Sequence, residues 1–423
     1  MIRIHLPHNY LGLVAGCLCL GSLAVSCVSD DLGCIEDRPG YVEGNDIWLT
    51  FTLRGESAVG RSLPGHAASG ISRADDSVGH PEEEATVAEN HINGNDIRLI
   101  VFDNRQNTIK VLDNKDIVSF EINENDDSRY EIKARINRAY FDYAGTSDKI
   151  EMSLMLVANL TSGVASSFPT DNDLYMKNAT SGIATRKIPF SVALPADGIW
   201  YPEGAARCIP MAGWEHYTIP RDVLDAATSP ESACVLGSAD RPDLVVQRAM
   251  AKIRVFDNID AEASTTITGV RIEGGNSSGA FIPDFSQTGC ASWATGTAMV
   301  ETATVNTSWF DATREVVARE VTSADGGDYT DADGNVFKTA FIAYVTESAA
   351  AQDVKLVITT ESENDNGSRE WEFPFSRIMT QSTDITRNHI YEFTVTRSMS
   401  AELNINYTVC PWVSNTINVP PFD

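Results

Sequence analysis

Few residues of this 423-residue chain have the spacing that catalytic or metal-binding residues show. His389 lies in a predicted strand and His216 in the segment GWEHY, and no motif places a nucleophile or an acid near either of them. Asp331–Gly334 resembles part of a calcium loop, but Tyr329 and Ala340 occupy the first and closing ligand positions, so a hairpin turn fits better. The sequence has no glycine-rich phosphate loop, serine-centred elbow or H-E-x-x-H motif. We therefore predict a protein that is not an enzyme and that binds no cofactor or metal.

The surroundings of Cys27 indicate a different chemistry, which is acylation. Residues 1–26 have a weakly positive start and then an apolar run, Leu11–Ser26, which is typical of a signal peptide. The segment Leu23–Cys27 resembles a lipoprotein signal box, and acidic residues follow it closely. We predict that residues 1–26 are removed and that Cys27 carries lipid. Ordinary secretion with an unmodified Cys27 is the alternative.

The other cysteines do not define a disulfide framework or a zinc site. Beyond Cys27 their number is odd and their spacing irregular. They are Cys34, Cys208, Cys234, Cys290 and Cys410. Free thiols and one disulfide pair both fit this pattern.

Arg61 and Arg73 lie in a long polar segment that is suited to proteolytic processing. Residues 55–90 contain Gly, Ser, Pro, His and an acidic run, and the segment is too long for an ordinary compact connection. Proteases prefer exposed segments of small residues. We predict that residues 27–90 form a lipidated N-terminal segment with a strand at 46–54 and an exposed linker at 55–90. The candidate cleavage sites in this segment are Arg61 and Arg73.

Apolar residues recur with a period of two in most other segments, which predicts strands. The predicted strand 46–54 has four apolar residues on one face: Ile47, Leu49, Phe51 and Leu53. Ile150–Ala158 is a nearly continuous apolar run, so we expect a central strand there. Short helices are predicted within Leu174–Ala184 and Arg221–Ala227.

Many short strands between Gly, Asn and Pro turns predict an all-β fold of two tandem β-sandwich domains. The strand pattern restarts at Leu244, so we place the domains at residues 91–240 and 241–423. The formal net charge of −27 argues against nucleic acid as a partner, because binding to phosphate backbones requires clustered Lys and Arg.

The end of the chain contains the most regular strand pattern. Four apolar residues alternate with polar ones and share one face: Leu403, Ile405, Tyr407 and Val409. The opposite face has Asn404, Asn406 and Thr408. Such a strand must pair with another strand, which belongs either to its own sheet or to a neighbouring molecule.

Several segments resemble the fimbrillin family, the fimbrial subunits of Bacteroidales. They are IPMAGW at 209–214, VVQRAMAKIRVFDNI at 245–259, ITGVRI at 267–272, RNHIYEFTVT at 387–396 and LNINYTVCPW at 403–412. The resemblance is strongest in the C-terminal half. It implies transthyretin-like, Greek-key sandwiches and export as an outer-membrane, cell-surface lipoprotein.

The resemblance also implies how such a chain assembles. An arginine-specific surface protease removes the strand 46–54, and the terminal strand of another fimbrial subunit fills the resulting groove. The donor region would be residues 400–423, with the alternating residues of 403–409 in the groove. Strand addition of this kind gains affinity from main-chain hydrogen bonds and specificity from alternate side chains.

Two other interpretations stay open. One is a surface lipoprotein of tandem sandwiches that binds glycan or protein, although the dispersed tryptophans suit core packing better than a glycan platform. The other is a fimbrial tip or anchor subunit that does not polymerise. For the terminal strand itself, the alternative is an ordinary strand of its own C-terminal sheet.

Overall fold

The computed structural model describes most of the chain from Asp46 to Trp412. The described residues are 46–55, 85–103, 108–112, 117–123, 126–138, 148–160, 175–178, 182–185, 189–204, 206–237, 241, 243–259, 264–281, 313–322, 329–330, 336–337, 339–349, 353–362, 367–378, 384–397 and 403–412.

Strands dominate these residues, which confirms the all-β class. The strands before residue 249 are β1 Asp46–Gly55, β2 Ile97–Asp103, β3 Thr108–Leu112, β4 Ile117–Asn123, β5 Asp126–Asn137, β6 Lys149–Ala158, β7 Tyr175–Asn178, β8 Gly182–Thr185, β9 Pro189–Ser191, β10 Met211–Pro220, β11 Cys234–Leu236 and β12 Leu244–Arg248. The helices of this part are α1 Val87–Asn90, α2 Arg221–Ala226 and a 3-10 turn at Pro230–Ser232.

The remaining elements form the C-terminal part. They are β13 Met250–Asp257, β14 Thr265–Asn276, β15 Ser278–Ala280, β16 Thr313–Val317, β17 Arg319–Thr322, β18 Tyr329–Thr330, β19 Val336–Phe337, β20 Thr339–Thr346, β21 Lys355–Ser362, β22 Gly367–Pro374, α3 Phe375–Ile378, β23 His389–Arg397 and β24 Leu403–Pro411.

A nine-stranded sheet organises the N-terminal part of the described chain. Its order is β3-β2-β6-β10-β12-β1-β5-β4, and β11 pairs with β1 beside β12. These nine strands form one sheet, and β7, β8 and β9 lie outside it. The apolar strand β6 lies between β2 and β10, and its residues from Leu154 to Ala158 are at most 1% exposed, which confirms its predicted central position.

The C-terminal part contains two sheets that share a core. One has the order β17-β20-β13-β23-β24, and the other has the order β16-β14-β21-β22. Alternate residues of both sheets, such as Ile253, Phe393 and Leu356, belong to one apolar cluster. A sandwich therefore forms here because each sheet buries one face against the other.

The two parts meet within one continuous apolar run. Leu244–Arg248 pairs with β10 and β1 in the first sheet, whereas Met250–Asp257 pairs with β20 and β23 in the second. The sheet changes at Ala249, whereas the domain boundary predicted from the sequence is at residue 240. The strand pattern continues across the junction, and periodicity alone gives no signal of the change of sheet.

The two helix predictions have opposite outcomes. Arg221–Ala226 is helical, as expected. The segment Leu174–Ala184 is wrong as a helix, because Tyr175–Asn178 and Gly182–Thr185 pair as an antiparallel hairpin. Short segments of mixed polarity do not distinguish the two structures by periodicity.

The described residues contain no helix long and apolar enough to cross a membrane. Within the same residues, no three His, Cys, Asp or Glu side chains are grouped so that they could hold a metal ion.

Candidate functional site

The strand β1 lies in the interior of the nine-stranded sheet. It pairs antiparallel with β5 from Asp46 opposite Asn137 to Arg54 opposite Arg129. On its other side it runs parallel to β11 and then to β12, with Leu53 opposite Leu244. Removing this strand would therefore open a slot with an unpaired backbone edge on each side.

One face of β1 is completely covered. Its four apolar residues are at most 1% exposed: Ile47, Leu49, Phe51 and Leu53. The alternate residues Trp48, Thr50 and Thr52 are half-buried. Because the side chains of a strand point alternately to opposite faces, the slot would present four apolar sockets on one side.

Polar contacts fix the start of β1. The Asn137 Nδ2 group donates to Asp46 Oδ1 at 3.2 Å, and Arg135 Nε lies 3.6 Å from Asp46 Oδ2. The backbone N–H of Trp48 donates to the carbonyl of Ala227 at 2.9 Å. These contacts and the ladder hold the strand in one register.

The terminal strand β24 lies at the edge of the five-stranded sheet. It pairs antiparallel with β23 of the same chain, from Leu403 opposite Arg397 to Pro411 opposite His389. Its other edge has no strand partner among the described residues. The structure thus places the strand in its own sheet, in agreement with the alternative interpretation of the sequence.

The alternating residues of β24 face the sandwich core, but the core covers them incompletely. Leu403 is 7% exposed, whereas Ile405, Tyr407 and Val409 are only partly buried against the core. The Tyr407 ring lies 6.5 Å from that of Phe393. Asn404 and Asn406 are exposed. The assignment of these four residues as a donor to another subunit stays a prediction.

After β24, the chain enters a buried polar cluster at Trp412. This residue is fully buried, and its backbone N–H donates to the carbonyl of Asn388 at 3.0 Å. Arg248 lies over the Trp412 ring, 4.6 Å from its centroid, and Lys252 Nζ lies at 5.6 Å. The Arg248 Nη1 group donates to the Trp412 carbonyl at 3.1 Å.

Glu89 supplies a negative charge to this cluster. Its Oε1 atom lies 2.7 Å from Lys252 Nζ, Tyr344 donates to it, and the Thr86 N–H donates to its Oε2 at 2.7 Å. Burial pushes the pKa of Glu89 upward, but the charge of Lys252 and these hydrogen bonds outweigh burial and hold the pKa below its usual value. Burial, followed by the charge of Glu89, raises the pKa of Tyr344 well above its usual value, so its hydroxyl remains a donor.

Residues 85–90 belong to the folded part of the chain that the structure describes. Ala85 is 1% exposed, and Thr86 and Glu89 form a capping box at the start of α1. The predicted linker 55–90 is therefore too long at its C-terminal end, because a short capped helix with a buried acid replaces its last residues.

Several predicted site residues lie outside the described residues. Cys27, Arg61 and Arg73 are among them. Arg54 ends β1 as a paired residue, opposite Arg129 and Val245. Cys208 and Cys234 are buried.

The two histidines considered as catalytic residues have ordinary surroundings. The Nδ1 atom of His389 lies 2.7 Å from the Arg387 carbonyl and 3.1 Å from Thr386 Oγ1. His216 is half-buried in β10, and burial lowers its pKa.

Sequence reasoning missed the polar cluster. Its signal is visible in retrospect: Arg248, Lys252 and Arg254 interrupt the apolar run from Leu244 to Phe256. Charged residues inside a buried strand require partners, and Glu89 and Glu392 supply carboxylates at 2.7 Å from Lys252 and 2.6 Å from Arg254.

Comparison with known proteins finds matches among solved structures, all at low sequence identity. No protein-family model and no curated protein sequence matches the chain. Among solved structures, the tip fimbrial protein Mfa3 of Porphyromonas gingivalis, with a C-terminal truncation, is 12% identical, covers 87% of this chain and 100% of its own, and has a TM-score of 0.46. A Parabacteroides distasonis protein assigned to cell adhesion is 12% identical, covers 86% of this chain and 97% of its own, and has a TM-score of 0.44.

The fimbrial anchor protein Mfa2 of P. gingivalis is 7% identical, covers 87% of this chain and 99% of its own, and has a TM-score of 0.31. The chain is similar, at these low scores, to fimbrial and cell-adhesion proteins of Bacteroidales bacteria.

Proposed function

We propose that this chain is a structural subunit of a cell-surface fimbria. It is exported as a lipoprotein through Cys27 and reaches the cell surface at the outer membrane. Cleavage by an arginine-specific surface protease at Arg61, or alternatively at Arg73, removes β1. The slot then takes the terminal strand of another subunit, and repetition of this exchange builds an adhesive polymer.

One observation carries the proposal: the terminal strand has the same side-chain pattern as the strand that it would replace. The buried face of β1 reads Ile47, Leu49, Phe51, Leu53, and the apolar face of β24 reads Leu403, Ile405, Tyr407, Val409. Both read aliphatic, aliphatic, aromatic, aliphatic in the same chain direction. In the reverse direction, the aromatic residue would fall at the second socket rather than at the third.

Pro411 supports the same register. With Leu403 in the Ile47 socket, Pro411 falls at Gly55, which lies beyond the last β5 pair at Arg54 and has a partner only on the β12 side, Val246. A shift that moved Ile405 to the Ile47 socket would place Pro411 at Leu53, between β5 and β12. A proline there removes a ladder hydrogen bond inside a sheet, so that register is disfavoured.

Burial favours the exchange. In its own sheet, β24 leaves Ile405, Tyr407 and Val409 partly exposed, whereas the β1 sockets are at most 1% exposed. Full burial of such a side chain is worth about 1.5–3 kcal/mol, so four sockets offer roughly 6–12 kcal/mol before ordering costs. The burial free energy that β24 already gains in its own sheet must be subtracted from this value. The empty slot also exposes apolar surface, which adds a further driving force for strand insertion.

Cysteine cross-linking tests this register. Thr50 lies opposite Lys133 in the ladder, so Asn406 of a donor would take the position opposite Lys133. After trypsin treatment, a Lys133→Cys, Asn406→Cys variant should form disulfide-linked multimers with both positions in one linked peptide. Lys133→Cys with Asn404→Cys is the matched control. Asn404 lies two residues from the position opposite Lys133, so this pair should not form the link. Filaments without the 133–406 link would exclude the register, and absence of filaments would exclude polymerisation.

A tip or anchor subunit is the second candidate. The pairing of β24 with β23 and the burial of Trp412 favour it, since a subunit at a filament end accepts a strand without donating one. For such a subunit, the trypsin-treated chain would bind a synthetic peptide of residues 401–412 but would stay monomeric in electron micrographs.

A further inference from the structure

Arg248 contacts both chain segments that the proposed assembly would rearrange. On the N-terminal side, its Nε donates to the Glu89 carbonyl at 3.2 Å, and its Nη2 donates to Asn90 Oδ1. On the C-terminal side, its Nη1 donates to the Trp412 carbonyl and to Asn388 Oδ1, both at 3.1 Å. One guanidinium therefore joins α1, which follows the processing segment, to the end of β24.

The side chains around Trp412 reinforce this junction. The indole ring is fully buried, and Arg248, Lys252 and the Tyr344 ring lie 4.6, 5.6 and 5.8 Å from its centroid. Lys252 and Tyr344 both contact Glu89 of α1. Among the described residues, the Trp412 Nε1 group has no hydrogen-bond partner. The residue is therefore held by the cations and the aromatic ring near its indole and by the hydrogen bonds of its main chain.

The release of β24 from its own sheet must break these contacts. The ladder to β23 ends at Pro411, and the next residue is fixed by hydrogen bonds through both its N–H and its carbonyl. Hydrogen bonds to a charged group are stronger than neutral ones, and a cation over an indole ring adds attraction. The end of β24 is therefore bound more tightly than its edge position alone would make it.

We propose that Arg248 is a latch, which holds the terminal strand in its own sheet and couples its release to α1. The proposal rests on the proposed function, because it concerns the regulation of the same terminal strand. A displacement of α1 removes the hydrogen bonds of Arg248 to Glu89 and Asn90, and so loosens its hold on Trp412. A change at the processed end of the chain thereby promotes donation at the other end.

Hydrogen exchange in the unprocessed full chain tests the latch without any polymerisation. Arg248→Lys removes the planar guanidinium group with its several N–H donors. We expect the amide hydrogens of residues 403–410 and 86–90 to exchange about tenfold faster or more, with both segments changing together. Arg271→Lys is the matched control, since Arg271 pairs with Glu273 and Glu370 on the outer face of the other sheet, and it should leave both segments unchanged.

Asn90→Ala tests the coupling more directly, and it covers the case in which the Arg248 variant does not fold. The substitution alters α1 alone, so faster amide exchange in 403–410 would show that a change in α1 reaches β24 through Arg248. Unchanged exchange in 403–410 for Asn90→Ala overturns the coupling, and unchanged exchange for a folded Arg248→Lys overturns the latch. Failure to form filaments would instead count against the proposed function, because the exchange measurement needs none.

Discussion

Glu89 and Lys252 form a buried ion pair between α1 and the first strand of the C-terminal sandwich. The Oε1 and Nζ atoms are 2.7 Å apart, and the two side chains are 0% and 5% exposed. The pair lies beside Trp412 and Arg248, so it joins the two parts of the chain at the point where the N-terminal segment and the terminal strand meet.

Removal of one partner should be costly. Lys252→Met leaves Glu89 buried without its cation, so we expect a loss of about 3–5 kcal/mol in the free energy of unfolding, measured by chemical denaturation. The double variant Lys252→Met, Glu89→Gln removes both charges and should lose less than the single variant. An equal or larger loss in the double variant would contradict the ion-pair account.

The lowered pKa of Glu89 predicts a pH dependence. Its folded-state pKa lies below the unfolded value of about 4.3, so its contribution is present above that value and is lost as pH falls through the folded pKa. The free energy of unfolding should therefore decline as the pH is lowered from about 5. Denaturation curves of Glu89→Gln should show a shallower decline, and identical slopes in both proteins would assign the pH dependence to other carboxylates.

Gly213 is required where β10 approaches β12. A Cβ atom at this position would overlap the backbone carbonyl of Val245. We expect Gly213→Ala to cost about 1–3 kcal/mol in thermal or chemical unfolding, because the two strands must separate. Gly269→Ala is the matched control in another strand, where the nearest atom, Thr359 Cβ, would be 3.7 Å away. Similar stability of the two variants would refute the steric explanation.

The buried face of β1 should contribute strongly to the unprocessed chain. Phe51 is fully buried, so Phe51→Ala should reduce the free energy of unfolding by about 3–5 kcal/mol. Thr50→Ala, on the half-buried opposite face, should have a much smaller effect. If the two substitutions changed the denaturation midpoint equally, β1 would not be the strand that fills the core.

Charged substitutions on the two faces of β24 distinguish donation of this strand to another subunit from pairing within its own sheet. Ile405→Asp with Val409→Asp would place charges in the sockets of the next subunit, and burial of an unpaired charge is prohibitive. Asn404→Asp with Asn406→Asp adds the same charge on the exposed face. After trypsin treatment, electron microscopy should show filaments only for the second pair. Normal filaments from the first pair would rule out these residues as the donor face.

Local sequence patterns are sufficient to identify a β protein and the residues of each strand that face a core. Side chains alternate with a period of two in any strand, so Ile47 to Leu53 and Leu403 to Val409 reveal their apolar faces locally. The apolar run Ile150–Ala158 likewise indicated a central strand. These properties depend only on neighbours along the chain.

The tertiary structure decided which strands pair and where charges are buried. The neighbours of β1 are β5, β11 and β12, which lie far along the chain, and no local pattern encodes such a choice. Periodicity continues through Ala249, so it could not mark the change of sheet. Arg248, Lys252 and Glu89 become a cluster because long-range packing brings α1, β12, β13 and Trp412 together, and the cost of a buried charge then requires them to pair.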